Sequence, residues 1–260
     1  MGLILITGST DGFGLEAARQ LVQRGHSVYL HARNQQRADE ARAKCPGAAG
    51  ALIADVTNFA ETRKLAEDAN AIGRFDAVIM NAGLFHGPMR KTTDTGVPAV
   101  VFVNVLAPYI LTCLLTRPKR LVYVSSVLHF HGNPDLKDMW WFERTAVGEE
   151  GWEEFQGYSD SKLHVMLLAN AVARRFKDTS VTMLHPGYVP TKLAGKDANE
   201  KMEDGIETYL KLAEGDYDQS LTGVYFVPNG KMSEPLPATL NEDLQERVLQ
   251  ACQDFTKLSL

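Results

Sequence analysis

The sequence predicts an α/β fold: one doubly wound domain over residues 1–260, with a mostly parallel seven-stranded sheet and helices on both faces. Three observations carry this. Short apolar runs of strand length alternate with amphipathic helical segments. A Gly-rich turn falls between the first strand and the first helix. Polar residues sit just after the strands, where an open parallel sheet binds its ligands.

Leu3 to Thr7 is the first β-prone run. It enters Gly8-Ser9-Thr10-Asp11-Gly12-Phe13-Gly14, and Leu15, Ala18, Leu21 and Val22 then mark one side of a helix that Gly25 ends. Glycines here let the backbone turn sharply and approach a bound group. The helix N-terminus offers N–H groups and a partial positive charge to a pyrophosphate. The second strand, Ser27 to Ala32, ends at Arg33-Asn34. In dinucleotide folds an acidic residue near this point binds the ribose 2′-hydroxyl, whereas an arginine accommodates a 2′-phosphate. Arg33 therefore favours NADP over NAD, with Asp11 as an opposing charge nearby. A helix from Asn34 stops before Pro46-Gly47, and the third strand, Ala49 to Ala54, runs into Asp55-Val56-Thr57. Asn58 with Glu61 resembles a capping box and opens the next helix. The fourth strand, Asp76 to Met80, ends in Asn81-Ala82-Gly83. Gly8, Arg33, Asp55 and Asn81 all follow strands, so they are expected on one edge of the sheet.

Val97 to Leu115 is the most membrane-like run, but Pro98, Asn104 and Pro108 interrupt it and its length is borderline for a span. It reads as a buried helix or helix pair. A buried asparagine must find partners. Asn104 either satisfies a backbone kink before Pro108 or holds a water in an active site. The fifth strand, Arg120 to Val124, ends in Ser125-Ser126. Leu128 to Gly157 is irregular and carries His129, Phe130, His131, Phe142, Phe155 and the tryptophans Trp140, Trp141 and Trp152. These aromatics either cover a core or wall a pocket for an apolar, ring-containing substrate. No Cys/His/Asp cluster joins the histidines, so no metal is expected.

Tyr158 to Phe176 reads as a helix, with Val165, Leu168, Ala169, Val172 and Phe176 at helical spacing. Tyr158 and Lys162 lie four apart on one face. Such a pair is ordinarily a packed ring and a solvated amine. It also has a chemical use: a phenol with a pKa of about 10 is a poor acid–base catalyst near neutrality, and a nearby cation favours the phenolate. Strand Val181 to Leu184 follows, then His185-Pro186-Gly187-Tyr188-Val189-Pro190-Thr191. Lys192 to Tyr217 is polar and Gly-interrupted and reads as a mobile flap. Thr222 to Val227 is the last strand, and Asn241 to Phe255 a closing helix with Leu244, Val248, Leu249 and Cys252 inward.

Composition narrows the class. With 260 residues, 45% of them hydrophobic, the chain can bury one deep core. Its net charge of −5 provides no basic field for nucleic acid or an anionic membrane. Cys45, Cys113 and Cys252 are odd in number and scattered, which suits a reducing compartment. The N-terminus lacks a signal-peptide pattern, so a cytoplasmic location is expected.

Over nearly all its length the chain resembles a short-chain dehydrogenase/reductase. The matches, in order, are Thr7-Gly8-Ser-Thr-Asp-Gly12-Phe-Gly14, Asp55-Val56, Asn81-Ala-Gly83, Asn104, Ser126 in Val124-Ser-Ser126, Tyr158 with Lys162, and Pro186-Gly187 with Thr191. The 32 residues from Ser126 to Tyr158 exceed the family's commonest spacing and resemble the retinol-dehydrogenase-like branch, which inserts residues here. The Pro118-Lys-Arg approach to the fifth strand is trimmed.

The resemblance implies a Rossmann fold and an NADP(H)-dependent carbonyl reductase or alcohol dehydrogenase acting on a small lipophilic substrate. Tyr158 would protonate the carbonyl oxygen or deprotonate an alcohol. Lys162 would lower the Tyr158 pKa and hydrogen-bond the nicotinamide ribose. Ser126 would orient the carbonyl, with Ser125 as second choice, and Asn104 would hold a water linking Lys162 to solvent. The implied cofactor set is Gly8, Ser9, Thr10, Gly12, Phe13, Gly14, Arg33, Asp55, Val56, Asn81, Ala82, Gly83, Tyr158, Lys162, Pro186, Gly187, Val189 and Thr191. Two other functions stay open: an epimerase or dehydratase using the same cofactor, and a non-catalytic dinucleotide-binding regulator, against which the intact Ser126, Tyr158 and Lys162 weigh. The family often forms homodimers or homotetramers through the helices holding Asn104 and Tyr158. Pocket specificity falls to segments 128–157 and 192–217, which carry no motif.

Overall fold

A computed structural model of the protein describes residues 1–85, 95–191 and 198–260. Its strands are β1 (Leu3–Ile6), β2 (Ser27–Ala32), β3 (Gly50–Ile53), β4 (Ala77–Met80), β5 (Arg120–Val124), β6 (Ser180–Leu184), β7 (Val224–Val227) and β8 (Lys231–Ser233). They form one sheet in the order β3-β2-β1-β4-β5-β6-β7-β8. β1 to β7 pair in parallel, as expected for seven strands; the eighth is a short antiparallel edge strand beside β7. The order reverses between β1 and β4, and that reversal opens the crevice where such sheets bind ligands.

The helices are α1 (Gly12–Gln23), α2 (Gln35–Lys44), α3 (Phe59–Ile72), α4 (Ala99–Val101), α5 (Ala107–Leu114), α6 (Glu154–Arg175), α7 (Met202–Glu214) and α8 (Glu242–Thr256). One apolar cluster joins α1, α2 and α7 to one face of the sheet through Ile4, Ile6, Ala18, Leu21 and Tyr209. A larger one joins α3, α5, α6 and α8 to the other face through Leu5, Val78, Leu65, Ile110 and Leu167. β4 buries every residue because both faces are covered. Asn34, Asn58 and Asn241 each cap a helix by accepting a backbone N–H three residues on. The box expected at Asn58 is half made: the Glu61 carboxylate accepts the Asp55 N–H at 2.6 Å.

The apolar run around Asn104 is one buried, continuous helix in which a π-helical turn, Phe102–Leu106, joins α4 to α5. Pro108 accounts for the irregularity. It has no N–H to give the carbonyl of Asn104, four residues earlier. Among the described residues, no helix is long and apolar enough to cross a membrane.

Two segments differ from the sequence reading. α6 starts at Glu154, four residues before Tyr158, inside the segment read as irregular. The stretch read as a mobile flap holds α7, whose Ile206, Tyr209, Leu210, Leu212 and Ala213 are buried; residues 192–197 of that stretch lie outside the described residues. Gly205 is the reason α7 can sit down so closely, because a Cβ there would stand 2.1 Å from the Pro186 carbonyl oxygen.

The tryptophans serve as core cover. Trp141 is fully buried and packs edge-on against Trp152 at 4.9 Å, under the Arg144 guanidinium at 3.5 Å from its ring centroid. Trp140 meets Phe255 of α8. Asp160 fastens this insert to α6, accepting the Asn133 N–H and pairing with Arg144 at 3.3 Å. As a result α6 is buried without a break from Gly157 to Ala173, inside its own chain. Trp141→Ala is expected to cost about 3–5 kcal/mol in denaturant unfolding, the range for emptying a buried aromatic site. A loss below about 1 kcal/mol would show that the insert is not part of the core.

Candidate active site

The carboxyl ends of β1, β2 and β4 are stitched together by side chains of the expected set. Asn81 donates from Nδ2 to the Thr7 and Gly8 carbonyls at 2.9 and 3.0 Å. Its Oδ1 accepts the Tyr209 hydroxyl of α7 at 2.6 Å. Thr7 Oγ1 accepts the N–H groups of Asn81 and Ala82. Gly8 has φ +63, and a Cβ there would stand 2.7 Å from Ala82 Cα, so any other residue strains the backbone and forces this turn to shift. Ser9 is fully buried, donating to the Ile6 carbonyl and accepting the His31 N–H. His31 takes the Gly8 N–H on Nδ1 and donates from Nε2 to the Ala54 carbonyl, joining β1, β2 and β3. Burial brings its pKa down to about 4, so the ring is neutral.

Gly12 (φ +53) and Gly14 complete the turn, and Phe13 stacks on Tyr209 with ring centroids 5.9 Å apart. Asp11 stands at the N-cap of α1 without capping it; its carboxylate pairs with Arg37 at 2.7 Å. The same guanidinium donates to Thr10 Oγ1 at 2.8 Å. Arg33 is exposed at the end of β2, one helical turn from Arg37. Asp55 accepts the N–H and hydroxyl of Thr57, and Val56 is buried beside it. Across the crevice Thr191 faces Gly12, with its Cγ2 3.8 Å from where a Gly12 Cβ would lie. Pro186 and Gly187 are half-buried there, and Val189 is buried.

Deeper in the crevice, Tyr158 and Lys162 are both buried. Lys162 Nζ lies 5.5 Å from the Tyr158 ring centroid and donates to the Val124 carbonyl at 2.9 Å. Burial lowers its pKa to about 8. Burial also pushes the Tyr158 phenol up to about 12, with Ser126 nearby opposing the rise. Ser125 is the other serine: its hydroxyl is buried and donates to the Lys162 carbonyl, so it braces α6 and leaves Ser126 beside the phenol. Phe85 stacks on the Tyr158 ring with centroids 4.2 Å apart.

Asn104 is near, and its side chain is hydrogen-bonded within the protein. Its side chain accepts the Leu84 N–H and donates to the Leu84 carbonyl and to Ser161 Oγ, which in turn donates to the Tyr158 carbonyl. Both Nδ2 protons of this amide are thus taken within the protein. A Cβ on Gly83 would lie 3.4 Å from Asn104 Oδ1 and 3.6 Å from Lys162 Nζ, so the glycine keeps space between them.

A model of the short chain dehydrogenase family matches residues 2–136. The chain belongs to that family. It is 68% identical to the short-chain dehydrogenase chyC of Penicillium rubens, over 100% of this chain and 99% of that protein. It is 30% identical to the human retinol dehydrogenase 14 over 94% of this chain and 83% of that protein, which puts it in the retinol-dehydrogenase-like branch. In fold it resembles an uncharacterised protein of Mycobacterium paratuberculosis (TM-score 0.83, 23% identity, 100% of this chain and 94% of that one). It also resembles the RhlG–NADP complex of Pseudomonas aeruginosa (TM-score 0.66, 22% identity, 88% and 94%). The short-chain dehydrogenase is thus an oxidoreductase of a family that binds nicotinamide dinucleotides and acts on small molecules.

The residues present fit such a cofactor. The first turn of α1 has no side-chain cap, Gly12 leaves the space before it open as far as Thr191, and a buried ammonium with three protons has one described protein acceptor. Arg37, Tyr209, His31 and Phe85 are additions to the sequence-derived set. Arg37 was legible as the residue one turn beyond Arg33; the others meet the site only through tertiary packing. Gly8→Ala is expected to fold yet bind NADPH on the order of ten- to a hundred-fold more weakly by calorimetry, from strain at positive φ. Wild-type affinity in that variant would contradict the placement of the turn.

Proposed function

We propose that the protein is an NADP(H)-dependent carbonyl reductase or alcohol dehydrogenase that moves a hydride between nicotinamide and the carbonyl or secondary alcohol of a small lipophilic substrate. The observation that carries this reading is the buried Tyr158 phenol, with Ser126 close enough to lower its pKa and the buried Lys162 ammonium beside it in the crevice. The bound nicotinamide supplies or accepts the hydride. The chain's own residues do the rest. Ser126 is half-buried and reachable, and holds the substrate oxygen. Tyr158 gives its proton to that oxygen in reduction and takes it back in oxidation. Burial keeps the phenol protonated at neutral pH, which suits reduction. Lys162 turns its remaining protons to the ribose and lowers the phenol pKa once cofactor is bound. Asn104 holds the relay water through its main-chain carbonyl, which Pro108 leaves without its α-helical donor.

The Gly turn and the α1 N-terminus would hold the pyrophosphate, Asp55 and Val56 the adenine, and Pro186, Gly187, Val189 and Thr191 the nicotinamide. Arg33 and Arg37 would take the 2′-phosphate. The objection from Asp11 is weakened because Arg37 already neutralises it. Apolar surface supports the substrate class: Phe85 stacks on Tyr158, and Val127, Phe130 and Tyr188 are exposed next to Ser126 and Gly187. Retinol dehydrogenases among the relatives act, by name, on a lipophilic alcohol. The burial of the Asn104 and Tyr158 helices within one chain supports a monomer over assembly through those helices. Free Cys45, Cys113 and Cys252 support a cytoplasmic location.

Tyr158→Phe is expected to keep NADPH affinity and lose turnover by on the order of 10²–10⁴. In the wild type, reduction needs the protonated phenol and should fall as pH rises through its pKa, whereas oxidation needs the phenolate and should rise. Near-normal turnover of Tyr158→Phe would remove the proton-transfer role. Arg33→Asp, alone or with Arg37→Ala, is expected to weaken NADPH binding on the order of ten- to a hundred-fold with NADH binding little changed, the scale of lost charged hydrogen bonds. Equal weakening of both nucleotides would remove these arginines from the 2′-phosphate.

A further inference from the structure

His129 is fully buried in the 3-10 turn Val127–His131 that follows Ser126. Its two ring nitrogens meet partners of opposite kind. Nδ1 lies 2.7 Å from the Ser126 carbonyl oxygen, which can only accept. Nε2 lies 3.1 Å from the Leu236 backbone nitrogen, whose N–H can only donate. Together they fix the neutral ring with its proton on Nδ1. An imidazolium would set a second N–H directly against that of Leu236.

Both ends of this bridge are anchored. The Ser126 carbonyl also accepts the His129 N–H at 3.1 Å, and Ser126 Oγ accepts the Leu128 N–H at 3.2 Å. Leu236 gives its carbonyl to the N–H and hydroxyl of Thr239. The Thr239 carbonyl accepts from Asn170 of α6 and Gln245 of α8. Around the ring stand Phe130, centroids 4.2 Å apart, and Tyr225 of β7, 5.2 Å. The other titratable group facing it is His185 at the end of β6, with Glu200 acting on His185 in turn. Burial lowers the pKa of His129, with the Ser126 carbonyl opposing, so the surroundings agree with the neutral ring that the geometry requires.

We propose that His129 is a positioning residue for the reaction: its neutral imidazole ties the Ser126 carbonyl to the Leu236 N–H and so fixes the Ser126 hydroxyl beside Tyr158. The inference rests on the hydride-transfer reading, in which Ser126 holds the substrate oxygen. It makes the distant β8–α8 connection part of the active-site frame. Protonating His129 breaks the bridge, so turnover falls on the acid side while cofactor binding holds.

Two spectra of the full chain test this without any substrate. Ring-¹⁵N histidine spectra, with His129 assigned by His129→Asn, report the tautomer. Tyrosine ¹³Cζ spectra, with Tyr158 assigned by Tyr158→Phe, report the effect of the Ser126 hydroxyl on its phenol. The expected results are an Nδ1–H ring at neutral pH that persists below the pH at which a free histidine takes up its proton, and a Tyr158 signal that His129→Ala moves as Ser126→Ala does. The double variant should show no further shift. Kinetically, His129→Ala should lower kcat on the order of ten- to a hundred-fold at unchanged NADPH affinity, the cost of a misplaced catalytic group, and should abolish the acid limb of the pH profile. His129→Asn, which can still donate to the Ser126 carbonyl, should restore part of the rate and stands in if His129→Ala does not fold. An Nε2–H ring or an imidazolium at neutral pH, or a Tyr158 signal unmoved by either variant, overturns the proposal. A wild type that reduces no carbonyl, with both spectra as expected, would count against the proposed function and leave the bridge standing.

Discussion

A fully buried ammonium ion sets the terms for the rest of the site. Taking a lysine out of water is costly unless polar groups replace the lost hydration. Lys162 obtains one acceptor from the end of β5, the Val124 carbonyl, and its pKa falls to about 8. The structure around it holds that arrangement rather than relieving it. Ser125 grips the Lys162 carbonyl, Ser161 ties the Tyr158 carbonyl to Asn104, and Asn104 clamps both polar groups of Leu84. Gly83 keeps a side chain out of the gap. The ammonium therefore stays beside the phenol with two protons to offer a bound group. The same burial raises the phenol, and Ser126 opposes that rise. The acidity of the Tyr158 phenol is thus a balance between dryness and nearby polar groups.

How much of this was legible in the sequence depended on whether the chemistry was local. The Gly turn, the cap at Asn58 and the Tyr158–Lys162 face obey rules that span a few residues, and the structure places them where those rules say. The choice between Ser125 and Ser126 was not local, since it turns on which hydroxyl α6 covers. Asn104 was legible as a buried amide in need of partners, but its partners, Leu84 and Ser161, are 20 and 57 residues away. Tyr209 was missed because Gly205 and the acidic residues around it masked an apolar stripe, Ile206, Tyr209, Leu210 and Ala213, that does have helical spacing. The eighth strand escaped because three exposed residues, Lys231 to Ser233, carry no apolar pattern.

The long interval between Ser126 and Tyr158 now has a physical account. Its tryptophans close the core over α6, with Asp160 as the fastening point between Tyr158 and Lys162. α6 is therefore clamped from its outer side by the chain itself, by this insert and by α8. What the insert leaves exposed near Ser126, Val127 and Phe130, is apolar. The branch-specific residues thus do two separate jobs, bracing the helix and edging the crevice.

The central claim is that hydride passes between the cofactor and a substrate carbonyl while Tyr158 handles the proton. The most direct measurement is to supply NADPH deuterated at nicotinamide C4 to a panel of ketones and aldehydes and to follow the label by mass spectrometry. The account predicts that deuterium leaves the cofactor, appears on the carbonyl carbon of the product alcohol, and is matched by an equal amount of NADP⁺. Conversion of a substrate with the deuterium retained on the cofactor at the end of turnover, or with no net NADP⁺ formed, would contradict it.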